Sequence, residues 1–116
     1  MPTRSIPEAL DIQNHFSFNT CVDYGCAKGF LVHALRLLGS NAWGEDISEY
    51  AVENCHPSVK DYVSLPNDNT YDLLICKDVL EHIEEEDIPS VLQKFKKKAD
   101  QFFFVTMIAS ESESMK

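Results

Sequence analysis

The chain has 116 residues, of which 44% are hydrophobic and 25% are charged. These proportions are ordinary for a globular protein, and the length suffices for one domain with a single small core. Ten basic against nineteen acidic residues give a net charge of −9, which disfavours a nucleic-acid partner because protein surfaces that bind nucleic acid are normally basic. No apolar run approaches the roughly 20 residues of a membrane span, and residues 1–10 lack the apolar region of a signal peptide, so no membrane partner is expected.

The four cysteines show neither a C-x-x-C pair nor a paired histidine spacing. A zinc site or a disulfide framework is therefore not expected, and no metal is predicted. Three of the four lie on or beside predicted strands, where a free thiol acts as a small apolar side chain. Reduced thiols favour a cytoplasmic location.

The first strong pattern is a strand, a tight turn and a helix in direct succession. Residues 20–22 are β-prone and lead to Asp23, small residues punctuate positions 25–29, and an apolar helix is predicted from about Phe30 to Leu38. This order opens a nucleotide-binding βαβ unit, in which glycine lets a ligand approach the backbone and the helix start presents free N–H groups. A dinucleotide fingerprint is not met, because positions 27 and 30 are not glycine, and no Gly-Lys-Ser/Thr follows to make a P-loop.

The turn pattern D-x-G-x-A-x-G resembles motif I of the class I S-adenosylmethionine-dependent methyltransferases. For this motif alone, a tight turn without a ligand remains the alternative. The resemblance implies S-adenosylmethionine as the cofactor, and it implies that the turn contributes these cofactor-binding residues: Asp23, Gly25, Cys26, Ala27 and Gly29.

The second strand is predicted at Asn41–Glu45 and is followed by an acidic residue that suits a ribose. A carboxylate offers two acceptor oxygens to the two ribose hydroxyls. The frame G-x-D-x-S resembles the methyltransferase form of this site, which makes Asp46 the ribose ligand, places Ile47 beside the cofactor and turns Glu45 elsewhere. The alternative for Asp46 or Ser48 is to cap the helix predicted from residue 49 to about residue 55.

A short third strand is predicted at Val59–Val63. Asp61, four residues before Leu65, occupies the place of the family's D-x-x-x-L-P pattern. By resemblance, Asp61 would accept from the adenine amino group and the Tyr62 backbone would contact the ring. Either residue could equally belong to a loop.

The segment Y-D-L-L-I-C-K-D-V-L-E-H-I, residues 71–83, is the most specific resemblance to the family. Its continuous apolar run predicts a central parallel strand buried on both faces. Lys77 stands at the strand's carboxyl end, where open α/β sheets bind ligands, and is a predicted cofactor-binding residue. Asp78 and His82 are the candidate general bases, and a capping or packing role is the alternative for His82.

The chain continues with an amphipathic helix whose apolar positions are Ile88, Val91, Leu92 and Phe95, and with a strand at residues 101–108. The predicted fold is α/β: a doubly wound, Rossmann-like parallel sheet of strand order 3-2-1-4-5 in a three-layer sandwich. We divide the chain into an N-terminal segment (1–19), a cofactor-binding domain (20–109) and a flexible tail (110–116). In the N-terminal segment a short helix from Pro7 to Asn14 either lies over the ligand pocket or belongs to a partly ordered terminus.

The resemblance covers roughly residues 20–108 and implies a methyltransferase acting on an unknown acceptor, with a small molecule among the options. The family usually adds further strands after the fifth, and this chain ends within about ten residues of it. A non-catalytic or truncated module that binds a cofactor or a partner is therefore the alternative. The uncovered fifth strand also predicts a homodimer through that edge, unless the tail folds over it.

Overall fold

The computed structural model describes residues 5–77 and 82–105. Its elements are α1 (Ser5–His15), β1 (Thr20–Tyr24), α2 (Phe30–Leu37), β2 (Asn41–Glu45), α3 (Glu49–Glu53), a 3-10 helix (Pro57–Tyr62), β3 (Val63–Ser64), β4 (Tyr71–Lys77), a short 3-10 turn (Glu85–Asp87), α4 (Ile88–Lys98) and β5 (Ala99–Val105).

The five strands form one parallel sheet in the order β3-β2-β1-β4-β5, which confirms the predicted topology. β1 lies at the centre, pairing with β2 on one side and with β4 on the other. The chain order therefore reverses between β1 and β4. In an open parallel sheet, this switch point is where the carboxyl ends of the strands leave a crevice.

Helices cover the sheet on opposite faces, giving the predicted three layers. α1 and α2 pack on the face that carries Cys21, Leu73 and Ile75, whereas α4 packs through Phe95 on the face that carries Val22 and Leu74. Because side chains alternate along a strand, neighbouring residues of β1 point to different layers. This alternation decides which functional side chains face α1 and which face α4.

The N-terminal helix α1 packs against α2 and belongs to the same core. Ala9 and Ile12 are buried in it. The Gln13 side-chain amide donates to the Leu38 carbonyl at 3.1 Å and to the Ser40 hydroxyl at 2.7 Å. Of the two alternatives for this segment, the structure shows the one in which the helix lies over the cavity, since Ser5 and Glu8 of α1 line it. The proposed boundaries at residues 19 and 109 stay predictions.

The predicted third strand, Val59–Val63, is wrong over most of its length. Residues 57–62 form a 3-10 helix, and β3 is only Val63–Ser64. Pro57 supplies the fixed φ of a first helical position, and the His56 ring accepts a hydrogen bond from the Ser58 N–H at 3.1 Å. This cap outweighs the β propensity of Val59, and only Val63 keeps the predicted strand conformation.

Helix α3 ends at Glu53, two residues before the predicted end, and β5 begins at Ala99, two residues before its predicted start. Residues 106–108 of the predicted strand and the proposed tail lie outside the described residues. Within 5–77 and 82–105, no helix is long and apolar enough to cross a membrane. In the same ranges, no three His, Cys, Asp or Glu side chains are grouped to hold a metal ion.

Candidate ligand cavity at the switch point

A cavity of about 1000 Å³ opens at the carboxyl ends of β1, β2 and β4. Its volume stands at the upper end of the range usual for small-molecule sites. The first turn of α1 closes it from one face of the sheet, and α4 closes it from the other. The position is the switch point that the topology predicts for a ligand.

The turn between β1 and α2 forms the floor of this cavity and has left-handed backbone at three positions. Gly25 has φ 83°, Ala27 has φ 50° and Gly29 has φ 82°. The N–H groups of Gly25 and Cys26 donate to the Glu45 carbonyl at 2.7 and 3.2 Å, which fixes the turn to the end of β2. The glycines at positions 25 and 29 were thus a correct sequence signal for left-handed backbone in this turn.

Gly29 lies in the turn but not in the cavity wall. A Cβ there would stand 2.7 Å from a methyl carbon of Val59, so the position serves the packing of the turn on the 3-10 helix. Gly44 has a similar role under the turn, since a Cβ there would stand 2.7 Å from the Cys26 sulfur. A glycine inside a strand is the sequence signal for such a close approach.

Asp46 connects the turn to the start of α3. One carboxylate oxygen accepts from the Ala27 N–H at 2.8 Å and the other accepts from the Ser48 N–H at 2.9 Å. Each oxygen keeps a further acceptor position, so this bridge leaves room for ligand hydroxyls. The capping alternative is confirmed for Ser48, whose hydroxyl accepts from the Ala51 N–H at 3.1 Å.

Asp23 is buried in the cavity floor on the α1 side of the sheet. Burial raises the pKa of this carboxyl from 3.8 to about 7, although the Lys77 ammonium opposes the shift. Its Oδ1 atom is fully buried and accepts no hydrogen bond from the described residues. A buried acceptor without a donor is costly, so this atom marks a position for a ligand donor or cation.

Lys77, at the end of β4, forms an ion pair with Glu8 of α1 at 2.7 Å. Both side chains are about 30% exposed and both line the cavity. Sequence reasoning placed Lys77 here but missed Glu8 and its neighbour Ser5. Neither residue is singled out by a sequence motif. Their position follows only from the alternative in which the N-terminal helix lies over the ligand pocket.

The α4 side of the cavity has a different character. Its wall there includes Val91, Lys94 and Phe95, together with His82 and Ile83 from the segment before α4. The Phe95 ring meets the Tyr24 ring edge-on, with centroids 5.1 Å apart. The sequence pattern predicts Val91 and Phe95 only as the packing face of the helix, and it gives no signal that Lys94 enters a cavity.

The structure brings seven of the ten predicted cofactor-binding residues into the cavity wall: Asp23, Gly25, Cys26, Ala27, Asp46, Ile47 and Lys77. Besides Gly29, it does not bring Asp61 and Tyr62 there. Both belong to the 3-10 helix, where the Tyr62 ring lies 3.3 Å from the Arg36 guanidinium carbon. Asp78 lies outside the described residues, and the exposed side chain of His82 does line the cavity.

The family model described as "Methyltransferase domain" matches residues 3–115. The chain belongs to this family. A curated relative, the ubiquinone biosynthesis O-methyltransferase of Colwellia psychrerythraea strain 34H, is 30% identical over 99 residues, covering 74% of this chain and 39% of the relative.

Two solved structures show the same fold. The S-adenosylmethionine-dependent methyltransferase from Clostridium acetobutylicum superposes with a TM-score of 0.69 at 15% identity, covering 90% of this chain and 50% of that one. Magnesium protoporphyrin IX methyltransferase from Synechocystis PCC 6803, with bound S-adenosylmethionine, gives 0.63 at 25% identity, covering 84% and 52%. The chain thus spans about half the length, or less, of the proteins that it resembles.

Proposed function

We propose that the chain binds S-adenosylmethionine in the switch-point cavity and acts in the transfer of its methyl group to a small-molecule acceptor. One observation carries this proposal: the buried Oδ1 of Asp23, without a donor, lies beside the glycine turn in a chain of the methyltransferase-domain family. A cationic ligand with hydrogen-bond donors would supply the partner that this oxygen lacks.

The residues of the cavity fit each part of the cofactor. Asp46 would accept from the ribose hydroxyls while keeping its backbone contacts, and the turn at Gly25 would lie against the ligand without side-chain obstruction. Asp23 would face the positively charged end of the ligand. Ile47, 78% exposed at the rim, would be covered by the adenosine.

When bound, S-adenosylmethionine supplies a methyl group on a sulfonium, which is already a good leaving group. The protein then has to position an acceptor and exclude water, because methyl transfer needs little further assistance. A general base matters only for an acceptor that must lose a proton. Of the two candidate bases, His82 lines the cavity, whereas Asp78, four residues earlier in the sequence, lies outside the described residues.

Isothermal titration with S-adenosylmethionine, S-adenosylhomocysteine and NAD tests the cofactor. We expect micromolar binding of the two adenosyl ligands and none of NAD, because the turn lacks the dinucleotide glycines. Tight NAD binding without adenosylmethionine binding would disprove the assignment. Co-purification of an adenosyl ligand, detected by mass spectrometry, would support it independently.

A module that binds the cofactor or a partner without transferring a methyl group is the second candidate, since the described residues that line the cavity suit a cofactor but do not identify an acceptor. Transfer of radiolabel from S-adenosylmethionine to a panel of small acceptors separates the two candidates. Label in a product supports the enzyme, and cofactor binding without label in any product supports the module.

We further propose a cytoplasmic location and a homodimer. The location rests on the four cysteines, all buried as free thiols, which suit a reducing compartment. The dimer rests on β5, which pairs with β4 and stands at the edge of the sheet formed by the described strands. An edge strand offers backbone groups to a second copy.

A further inference from the structure

The switch-point cavity has two chemically distinct sides. Its volume of about 1000 Å³ stands at the upper end of the range for small-molecule sites, which leaves room for an acceptor beside the cofactor. It crosses the top of the sheet, so one side faces α1 and the other faces α4. β1 marks the division, because Asp23 points to the α1 side whereas the next residue, Tyr24, packs with the α4 side.

The α1 side is acidic. The carboxylates of Glu8, Asp23 and Asp46 line it together with the ammonium groups of Lys28 and Lys77, and Lys77 pairs with Glu8 at 2.7 Å. The carboxylates outnumber the ammonium groups by three to two, so this wall carries one net negative charge when Asp23 is ionised. This side suits the cationic part of S-adenosylmethionine and repels an anion.

The α4 side is apolar and carries a cation. Ile83, Val91 and Phe95 provide apolar surface, and Lys94 stands beside them in the wall. Lys94 follows Asp87, the last acidic residue before α4, by seven positions, or about 10 Å along a helix. The acidic start of the segment is therefore largely screened from Lys94 at physiological ionic strength. Two other carboxylates, Glu45 and Asp68, line a neighbouring cavity with Lys94, and the ammonium groups of Lys97 and Lys98 match them in number there.

We propose that the α4 side is the acceptor subsite and that it takes an apolar, preferably aromatic, small molecule bearing an anionic group that Lys94 holds. The apolar body would lie against Val91 and Phe95. The whole chain has a net charge of −9 and does not attract anions in general. An anion is therefore attracted only where a basic group such as Lys94 stands in the cavity wall. The inference rests on the proposed function, since it names the acceptor class for the same cavity.

A second, smaller cavity of about 330 Å³ lies behind the same wall. Tyr24, Lys94 and Phe95 line both cavities, whereas Lys97 lines only the smaller one. An anion held there would depend on Lys97 as well as on Lys94. This difference lets the experiment tell the two cavities apart.

The test uses 2-naphthoate and its neutral analogue 2-naphthamide as probes, with binding measured by saturation-transfer NMR and calorimetry on the full chain. We expect naphthoate to bind more tightly than naphthamide, with and without S-adenosylhomocysteine. Lys94→Gln should weaken naphthoate binding about fivefold and leave naphthamide unchanged, because only the charge contact is lost. Lys94→Arg should retain binding, and the exposed Lys96, which lines neither cavity, gives the matched control Lys96→Gln.

Equal binding of both probes, or an equal loss in Lys94→Gln and Lys96→Gln, would overturn the proposal. A loss in Lys97→Gln as large as in Lys94→Gln would place the probe in the smaller cavity and would also overturn it. Competition between naphthoate and S-adenosylhomocysteine would contradict two separate sides. Failure of S-adenosylhomocysteine to bind at all would refute the proposed function, while the Lys94 dependence of naphthoate binding could still be measured.

Discussion

At the scale of single residues, Ala27 shows that the turn is held in a conformation that its sequence does not favour. Its φ of 50° is left-handed, which costs an L-residue about 1–2 kcal/mol relative to glycine. The structure holds it there through the hydrogen bond from its N–H to Asp46. The residue is exposed, so a change at this position does not disturb the core.

We therefore predict that Ala27→Gly is neutral to stabilising, by up to about 1 kcal/mol, because relief of the backbone strain exceeds the extra entropy of the unfolded chain. Urea denaturation measures it. The matched control is Ala51→Gly in α3, where the backbone is helical and the same change should cost about 1 kcal/mol. Equal losses in both variants would contradict the strain at Ala27.

The carboxyl of Asp23 should make the stability of the ligand-free protein fall with rising pH. Burial raises its pKa to about 7, so folding favours the protonated form. The stabilisation is complete below the ordinary value of 3.8 and is lost as pH rises through about 7, with an upper limit of roughly 4 kcal/mol. Relative to the wild type, Asp23→Asn should gain stability steadily between pH 4 and 7.

Urea denaturation across this pH range tests the Asp23 prediction, with the exposed Asp100→Asn as control. Glu45 also has a raised pKa because of burial, so the difference between wild type and variant is the informative quantity. A constant difference at all pH values would refute the assignment. A cationic ligand should favour the ionised carboxylate, and its binding near neutral pH should release protons to the buffer.

Asp46 is predicted to affect both cofactor binding and folding. Asp46→Ala removes the acceptor of two backbone N–H groups and would also remove the ribose contacts. Cofactor affinity should fall at least tenfold, since a hydrogen bond to a charged group contributes about 1.5–3 kcal/mol, and the free protein should also lose stability. Ser48→Ala is the control, because it removes the α3 cap at a cost of about 1 kcal/mol and should leave the affinity unchanged.

At the scale of elements, sequence patterns predicted strands correctly where the residues of a segment all favour the same structure. The bounds of β2 are as predicted, and the buried apolar run of β4 confirms its central place in the sheet. The strand assignment failed at residues 59–62, because the His56 cap and Pro57 favour a 3-10 helix against the β propensity of Val59. Propensities of single residues do not show which of these effects is larger. His56-Pro57-Ser58 was the signal that could have revealed the 3-10 helix.

The candidate site was predictable where it follows from the glycine turn and from strand ends, and less so where it depends on packing between distant elements. Glu8 and Lys94 enter the cavity only because α1 and α4 flank the same edge of the sheet. Lys98 is a similar case. A lysine near the carboxyl end of a helix is usually explained by the helix dipole, yet Lys98 is buried and pairs with Glu45 at 3.0 Å.

The buried Glu45–Lys98 pair joins β2 to α4 and holds the loop between β3 and β4. The Lys98 ammonium also donates to the carbonyls of Asn67 and Asn69, at 2.6 and 3.0 Å. Lys98→Met should destabilise the protein by about 3–5 kcal/mol, because it leaves a buried carboxylate without its cation. Denaturation should show a smaller loss at acidic pH, where the protonated Glu45 needs no partner.

Two companion variants test this explanation of the Lys98 effect. Glu45→Gln combined with Lys98→Met should recover part of the lost stability, since no buried charge remains. Lys96→Met, on the exposed side of the same helix, should stay within about 0.5 kcal/mol of wild type. A double variant as unstable as the sum of its single changes would indicate lost packing rather than an uncompensated charge.

At the scale of the whole molecule, the edge of the sheet at β5 is the feature that bears on association between copies of the chain. β5 lies at the edge of the sheet formed by the described strands; it contains no proline, and its one charged residue is Asp100, near its start, so residues 101–105 lack both of these protections against edge pairing. Phe103 does not itself offer a clean test of association. Its ring packs edge-on against Phe16 at 5.5 Å and against the α1-side core, so a charge there would damage the fold.

We predict that the chain forms a two-fold dimer through β5, with the mass from light scattering rising from one chain towards two as concentration increases. Backbone amide exchange tests the edge directly without a substitution. Amides of β5 should become more protected with increasing concentration, because an edge N–H gains a partner, whereas the central strand β1 should keep its protection. The alternative is that residues 110–116 cover the edge within one chain, in which case their removal should promote association. A monomer at every concentration, with or without those residues and with unchanged β5 exchange, would show the dimer proposal to be wrong.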